Sequence, residues 1–526
     1  MKKIYYLIIG LVLIAGFNNC SDDDYTSKYH NPEQTETPSI EKLMTGVFYS
    51  AWEYTFNGYW RSYTWENDVM GVYAQTIGFL NAPGTIYSAN DSYANGRWEN
   101  FYNTLTQFRI MQNEYDKLDD AQKTSYKQFV NLAEIFVYDH LSQIVDTFGD
   151  APFSKAGYLS ITNDVEGSYP AYDSQVDLYR MMLERLGIIY TELEDGKGSV
   201  SSLLTEQDFI NKGNYTLWLK YCNSLRLRLA TRVASQGSLA ADGKLVIAEI
   251  LNNNYPVVSN LAETIQVLPD EDGFNLGDQF RDGFKDHSRA SQEMLNVLHT
   301  VSTLGEDDPR LPIMYSKNAQ GQYRGLSTSE TYADQQVNIA LPESLRVYSR
   351  IDSTTVIYNR RLKSPIVTAA EVDFLKAEAF QKGWATGNAK EAFIDGMLHS
   401  TQFYFDQNAT SPSNDGTKMD IPDESVIKAY AEKVWDAATD KEVVILTQKW
   451  LNFGYFQPFQ AWNEIRRTGY PAFYYPEDAT AQLLKTLPNR VRYPASERNN
   501  NTENYQTQVQ AMGGTDDAYI KPFWAK

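Results

Sequence analysis

Hydrophobic residues recur along most of the chain at intervals of three and four, which is the spacing of one face of an α-helix. In the stretch 217–233, leucine, tyrosine or valine returns every fourth residue, and lysine and arginine occupy the other sides. Other segments with helical spacing are 98–108, 129–144, 372–379, 392–398, 429–436 and 443–453. The pattern predicts a mainly α-helical protein.

Neighbouring helices are predicted to pack in pairs. Segments 372–379 and 392–398 flank a short loop, and small residues in EVDFLKAEAFQKG (371–383) resemble a tetratricopeptide-type repeat, although the period is irregular. Strand patterns are few and short, in VLPDEDGF (267–274) and within 310–360. After Gly469 the chain is rich in Pro, Asn, Arg and Tyr, which predicts irregular chain laid over the helices.

The first apolar run, residues 4–17, follows Lys2 and Lys3. A basic start and a short apolar stretch are typical of a secretory signal. The run is shorter than the ~20 apolar residues that span a bilayer. An uncleaved N-terminal membrane anchor is the alternative.

Cys20 lies directly after this run and is predicted to be the lipid attachment site of a bacterial lipoprotein. The usual residues before such a cysteine are matched only loosely by Phe17, Asn18 and Asn19. The prediction therefore depends on the position of Cys20 directly after the apolar run. Several acyl chains on one residue give stable anchoring. The predicted organisation is a signal peptide at 1–19, a lipidated cysteine and flexible acidic tether at 20–40, and one domain at 41–526.

The acids Asp22, Asp23 and Asp24 follow the cysteine at once. They resemble the tag that directs some lipoproteins to the cell surface. The alternative is a solvated start to the flexible tether. We therefore expect an outer-membrane, lipid-anchored and surface-exposed protein.

Composition narrows the range of ligands. The net charge of −20 over 526 residues argues against nucleic acid, whose phosphates are bound by Lys and Arg. The 37 tyrosines and 10 tryptophans suit stacking on sugars or peptides. The only other cysteine is Cys222, so an acylated Cys20 leaves no intramolecular disulfide, and Cys222 is predicted to be buried and inert.

Catalytic motifs such as HExxH, GxSxG and the phosphate-binding GxxxxGK[ST] are absent from the sequence. His140 lies on an apolar helix face, where a core histidine is the expectation. A glycoside hydrolase needs two carboxylates at a set separation, which sequence does not reveal, so that activity stays an alternative. No cofactor is expected. A structural calcium at the acidic turn PDEDG (269–273) is a further alternative, although the EF-hand pattern is absent.

Several stretches, in order, resemble the SusD/RagB family of outer-membrane lipoproteins. They are DTFGDAPFSKA (146–156), YDSQVDLYRMM (172–182), WLKYCNSLRLRLATRV (218–233), DPRLP (308–312), IVTAAEVDFLKAEAFQKG (366–383), ILTQKWLNF (445–453), AWNEIRRTGYP (461–471), PNRVRYPASERNNNTENY (488–505) and GGTDDAYIKPFW (513–524). Their number and order cover nearly the whole chain after the signal.

The resemblance implies a mainly helical fold with about four tetratricopeptide-like helix pairs and an irregular remainder. It implies a surface lipoprotein that binds nutrient and covers a SusC-like TonB-dependent transporter. The ligand is a glycan or, in some members, an oligopeptide, and the family members are not enzymes.

Family motifs do not transfer ligand residues, because those lie on variable loops. The segment YAQTIGFLNAPGTIYSANDSY (73–93) lacks helical spacing and is predicted to be a loop. The ligand-binding candidates are Tyr73, Phe79, Tyr87 and Tyr93 for stacking, Asn81, Asn90 and Asp91 for hydroxyl groups, and Tyr323 in a second loop. The alternative is that these rings fix the loop to the core.

Overall fold

The protein folds as a large assembly of helices with little sheet. The structure, a computed structural model, describes residues 39–88, 90–269 and 289–526. The α-helices are α1 (Ile40–Ser50), α2 (Trp52–Thr55), α3 (Asp91–Asp116), α4 (Asp120–Phe148), α5 (Leu159–Thr162), α6 (Gln175–Gly196), α7 (Leu204–Gln207), α8 (Tyr215–Ala234), α9 (Ala240–Asn252), α10 (Gln292–Leu298), α11 (Val301–Leu304), α12 (Leu311–Met314), α13 (Tyr332–Ile339), α14 (Ala369–Gln381), α15 (Ala389–Thr410), α16 (Glu424–Ala437), α17 (Lys441–Phe453), α18 (Pro458–Thr468), α19 (Ala495–Asn500) and α20 (Thr502–Ala511). Two π-helices span Tyr59–Gly71 and Ser353–Ile357. The prediction of a mainly helical fold is confirmed.

Side-chain caps fix where the long helices begin. The Asn90 Oδ1 accepts a hydrogen bond from the Ser92 amide at 3.0 Å and starts α3. The Asp119 carboxylate accepts from the Gln122 amide at 2.9 Å, and the Gln122 side chain accepts from the Asp119 amide at 3.3 Å. This capping box satisfies amides that the first helical turn leaves unpaired.

Consecutive helices pack side by side, as tetratricopeptide-like pairs do. Helix α3 packs on α4, α8 on α9, α14 on α15 and α17 on α18. The contact between α8 and α9 is close at Gly243, where an added Cβ would lie 2.6 Å from the Ala230 carbonyl oxygen. The helix pairs predicted from the sequence are confirmed.

The described strands form two short antiparallel pairs. Strand β1 (Ile265–Val267) pairs with β4 (Ser364–Val367), and β2 (Tyr315–Ser316) pairs with β3 (Arg350–Ile351). The predicted region 310–360 contains β2 and β3, the region 267–274 overlaps β1 only at Val267, and β4 lies outside both.

The tail after Gly469 contains two helices where irregular chain was predicted throughout. Residues 470–494 are irregular, but α19 and α20 follow. In α20 only Gln508 is buried, so the segment has no apolar spacing that would reveal a helix.

Buried charges join three helices of the scaffold. Lys449 of α17 and Arg467 of α18 each pair with Glu378 of α14 and with Glu464, at 2.5–2.8 Å. Both cationic side chains have 0% exposure. Two positive and two negative charges therefore balance, as buried ions must. Burial alone would raise the pKa of Glu464, but the charges of Arg467 and Lys449 lower it.

Cys222 is buried in α8, as predicted, and its Sγ lies 3.3 Å from the Leu186 carbonyl oxygen. Burial raises the pKa of this thiol to about 12, which keeps it protonated. Cys20, the three aspartates after it and the PDEDG turn beyond Pro269 lie outside the described residues. Within 39–88, 90–269 and 289–526, no helix combines the length and the apolarity needed to cross a membrane.

Candidate functional site

The loop that follows Tyr73 is tied to the interior. Tyr73 is 2% exposed, its hydroxyl donates to the Tyr87 carbonyl at 2.7 Å, and its ring lies 5.3 Å from that of Trp462. Tyr87 is 0% exposed, and its hydroxyl donates to the Pro476 carbonyl at 2.6 Å. Neither ring has a free face for a ligand.

Polar groups hold the rest of this loop in place. Phe79 is half-buried and packs on the core. The Asn81 side-chain amide donates to the carbonyls of Thr328 at 3.1 Å and Glu330 at 2.7 Å. Asn81 therefore connects two parts of the chain, and Asn90 serves as the cap of α3.

Asp478 clamps the tip of the loop. Its carboxylate accepts hydrogen bonds from the amides of Gly84 at 2.8 Å and Ile86 at 3.2 Å. It also accepts from the Thr480 hydroxyl at 2.9 Å. The loop is thus fastened to a segment far along the chain.

Tyr323 has different neighbours. In the described part of the chain its ring lies 5.9 Å from the His299 ring, and the Lys317 Nζ lies 5.4 Å from its centre. The ring is half-buried. Burial, followed by the charges of Asp307 and Asp352, raises the pKa of its hydroxyl.

Tyr93 is the candidate that joins other accessible rings. It lies in the first turn of α3 and is half-buried. Burial, with the nearby Asp68 and Tyr59, raises the pKa of its hydroxyl, which stays protonated and able to donate. Tyr59 and Asp68 belong to the first π-helix, so Tyr93 marks the place where this helix and α3 meet.

Three rings of the π-helix continue the surface. The Tyr59 ring centre lies 5.3 Å from that of Tyr63 and 5.6 Å from that of Trp60. Tyr59 is 38% exposed, and Trp60 and Tyr63 are half-buried. We call Tyr59, Trp60, Tyr63 and Tyr93 the aromatic face.

The opposite side of the π-helix is fixed to the scaffold and so turns these rings outward. Buried Arg61 donates to the Pro365 carbonyl at 2.8 Å and to the Thr55 carbonyl. Buried Glu66 accepts from the Phe459 amide at 2.8 Å. π-Helices are usually single turns and are often found at functional sites, whereas this one has 13 residues.

Gly96 allows the π-helix and α3 to approach each other. An added Cβ there would lie 2.9 Å from the Tyr54 hydroxyl and 3.6 Å from the Trp60 ring. An added Cβ would therefore force Tyr54 to shift, and it would stand in ordinary van der Waals contact with the Trp60 ring.

Residues 32–494 match a family model described as SusD-like, starch-binding associating with outer membrane. The chain belongs to the SusD-like family. The resemblance seen in the sequence is confirmed, and the family is one of binding proteins associated with the outer membrane. No curated protein matches the sequence.

Solved SusD-like structures share the fold over almost their full length. A chitin-binding protein has 22% identity and a TM-score of 0.73, covering 92% of this chain and 99% of the other. A SusD homolog from Bacteroides fragilis has 19% identity and a TM-score of 0.71, with the same coverage. A chitin-binding SusD homolog from Flavobacterium johnsoniae has 22% identity and a TM-score of 0.68, covering 91% of this chain and 98% of the other.

The aromatic face of this SusD-like chain has the chemistry of a binding surface. Flat rings stack on the apolar faces of sugars or on peptide groups, and exposed Asp68 beside them offers acceptor oxygens. Within the residues that the structure describes, no group of three or more His, Cys, Asp and Glu side chains is arranged to hold a metal ion.

Sequence reasoning missed Tyr59, Trp60 and Tyr63, because it sought ligand residues in irregular loops. The available signal was aromatic density: YWRSYTW (59–65) holds four rings in seven residues.

Proposed function

We propose that this SusD-like protein binds oligosaccharides on its aromatic face and delivers them to a SusC-like TonB-dependent transporter. A lipid on Cys20 holds it at the cell surface. The observation that carries the proposal is the aromatic face, a set of rings held outward by a π-helix whose other side is buried. It is a binding function without catalysis.

Three facts support a glycan as the ligand. The family description names starch, and two similar solved structures are described as chitin-binding. The acidic chain disfavours anionic ligands but not neutral sugars. The rings supply stacking surfaces, while Asp68 and the Tyr93 hydroxyl supply an acceptor and a donor for sugar hydroxyls.

The test is calorimetric titration of the full-length chain in detergent with maltohexaose and chitohexaose. Tyr59→Ala and Trp60→Ala are each expected to weaken binding by ~2 kcal/mol, roughly thirtyfold, because a central ring dominates such contacts. Tyr169→Ala is the matched control, since Tyr169 is 51% exposed and lies outside the aromatic face.

Unchanged affinity in both variants would contradict the aromatic face as the binding site. If an oligopeptide pool binds and neither sugar does, the ligand is a peptide and not a glycan. New reducing ends after incubation with glycans would show a hydrolase.

The anchor and the transporter need a separate experiment in cells. Cys20→Ala is expected to abolish incorporation of radiolabelled palmitate and to release the protein from the outer membrane. The unaltered chain, carrying a tag, is expected to co-purify with a SusC-like barrel. Palmitate incorporation in the Cys20→Ala variant would contradict the lipid anchor. Purification of the tagged protein without the barrel would contradict the transporter partnership.

A further inference from the structure

A groove of about 890 Å³ lies between the first half of α4 and the end of α6. None of the residues that line it belongs to the aromatic face. Its volume falls within the ~300–1,000 Å³ typical of small-molecule sites. The groove is therefore large enough for a ligand and separate from the site proposed above.

Three tyrosines line the groove: Tyr115 and Tyr126 are half-buried, Tyr215 is buried, and the hydroxyls of Tyr115 and Tyr215 are fixed by hydrogen bonds. The Tyr115 hydroxyl donates to the Lys123 carbonyl at 3.0 Å, and the Tyr215 hydroxyl donates to the Leu193 carbonyl at 3.0 Å. The Tyr126 ring lies 6.1 Å from that of Phe129. Rings fixed in this way lose little entropy when a ligand stacks on them.

One ion pair lies along the groove, and Arg185 beside the groove joins it. Lys127 lies 3.1 Å from Glu192, and Arg185 lies 3.4 Å from the same carboxylate. Asp120 and Asp195 also line the groove and are exposed. Lys123 also lines the groove and makes no ion pair with the described residues, but three acids against two lysines leave the lining net negative, which disfavours an anionic ligand and accepts a neutral one.

A buried side-chain amide in the groove has Glu192 as its nearest acceptor. Asn131 is 1% exposed, and its Oδ1 accepts from Arg185 at 3.3 Å. Its Nδ2 makes no hydrogen bond within 3.5 Å, although it lies near enough to Glu192 to help lower the pKa of that carboxyl. An unpaired buried donor costs free energy unless water or a ligand satisfies it.

We propose that this groove is a second carbohydrate site, which takes a neutral oligosaccharide. Tyrosine faces stack on sugar rings, and the Asn131 amide and neighbouring side-chain hydroxyls and amides bond sugar hydroxyls. Hydroxyl-bearing rings and side-chain hydroxyls and amides suit a polyhydroxylated ligand. The proposal extends the proposed function, since a long glycan held at two sites gains from a raised effective concentration.

The test measures the binding of maltohexaose and of chitohexaose to the full-length chain in detergent, by calorimetry and by ligand-observed NMR. Thr124→Trp fills the groove from an exposed position of α4, so it removes no core contact. Tyr126→Ala removes a wall. The Trp60→Ala chain is expected to keep one binding event, and adding Thr124→Trp or Tyr126→Ala is expected to weaken that event roughly thirtyfold.

The outcomes separate the two sites. If Trp60→Ala abolishes all sugar binding, the groove proposal is overturned and the aromatic face stands. If Trp60→Ala changes nothing and Thr124→Trp removes binding, the groove stands and the face is overturned. If neither sugar binds the unaltered chain, or if Thr124→Trp blocks only an oligopeptide, the groove is not a carbohydrate site.

Discussion

The first part of the chain contains two groups of aromatic residues with opposite roles. Tyr73 and Tyr87 flank an irregular loop, yet both are buried and bond backbone carbonyls. Tyr59 and Trp60 lie on a helix, yet they are accessible at the surface. Secondary structure therefore does not decide which rings are accessible. In this molecule the hydroxyl partner and the packing of the neighbouring element decide it.

A physical reason underlies the difference. An irregular segment that crosses the interior must satisfy its backbone groups without a helical ladder. The Tyr73 and Tyr475 hydroxyls donate to the carbonyls of Tyr87 and Tyr73, and the Asp478 carboxylate accepts from the Gly84 amide. The π-helix satisfies most of its own backbone, so its side chains on one face remain available.

Removing a buried ring should have the largest effect. Tyr87→Ala is expected to lower the free energy of unfolding by ~3–5 kcal/mol, because it leaves a cavity as large-to-small core substitutions do. Thermal and denaturant unfolding measure this. At a temperature where the variant remains folded, its affinity for sugar should equal that of the unaltered chain. A loss of affinity without a loss of stability would show that Tyr87 contacts the ligand and does not stabilise the core.

Gly96→Ala should affect both stability and binding. The new Cβ would crowd the Tyr54 hydroxyl, and the resulting shift would reach the Trp60 ring that contacts the same Cβ, so we expect a loss of ~1–3 kcal/mol in stability and weaker sugar binding. Gly46→Ala is a suitable control, because a Cβ at Gly46 of α1 would meet nothing within 4 Å. Equal behaviour of the two variants would contradict the close approach at Gly96.

A matched pair of hydroxyl deletions sharpens the comparison. Tyr87→Phe leaves the Pro476 carbonyl without its donor and is expected to cost ~1 kcal/mol of stability. Tyr59→Phe removes a hydroxyl from an exposed ring and is expected to change stability by less than ~0.5 kcal/mol. Denaturant titration of both measures the difference, and similar values would show that the Tyr87 bond does not stabilise the loop.

Acid should slightly lower the stability that the Asp478 hydrogen bonds give to the loop. Burial would raise the pKa of Asp478, but hydrogen bonds from Gly84, Thr480 and Ile86 lower it below its ordinary value. The stabilisation is therefore present above the unfolded pKa of ~3.9 and is lost as pH falls through the lower folded pKa. Below about pH 4 the unaltered chain should lose stability more steeply than Asp478→Asn; parallel curves would refute the clamp.

The fold was largely predictable from the sequence, because long amphipathic helices have a visible period. Segment 129–144 lies within α4, and 217–233 lies within α8. Helix α20 was missed because it buries little apolar surface and therefore shows no period.

The candidate site was predictable only in part. Tyr93 belongs to the aromatic face, but the burial of Tyr73 and Tyr87 depends on Pro476 and Trp462, which are distant in sequence. Contacts of that range leave no local pattern. The exposure of Tyr59 similarly depends on Arg61 and Glu66 turning inward to residues 365 and 459.

The hydrogen bonds that hold the loop join residues that are synthesised at very different times. Asp478 lies 394 positions after Gly84, and the Trp450 indole donates to the Ala74 carbonyl across 376 positions. At a synthesis rate of ~5–20 residues per second, the partner of Gly84 emerges about 20–80 s after it. The loop beside the aromatic face therefore lacks these hydrogen-bond partners until nearly the whole polypeptide has been synthesised. A chain truncated before them contains the rings of the aromatic face but not the residues that hold the neighbouring loop.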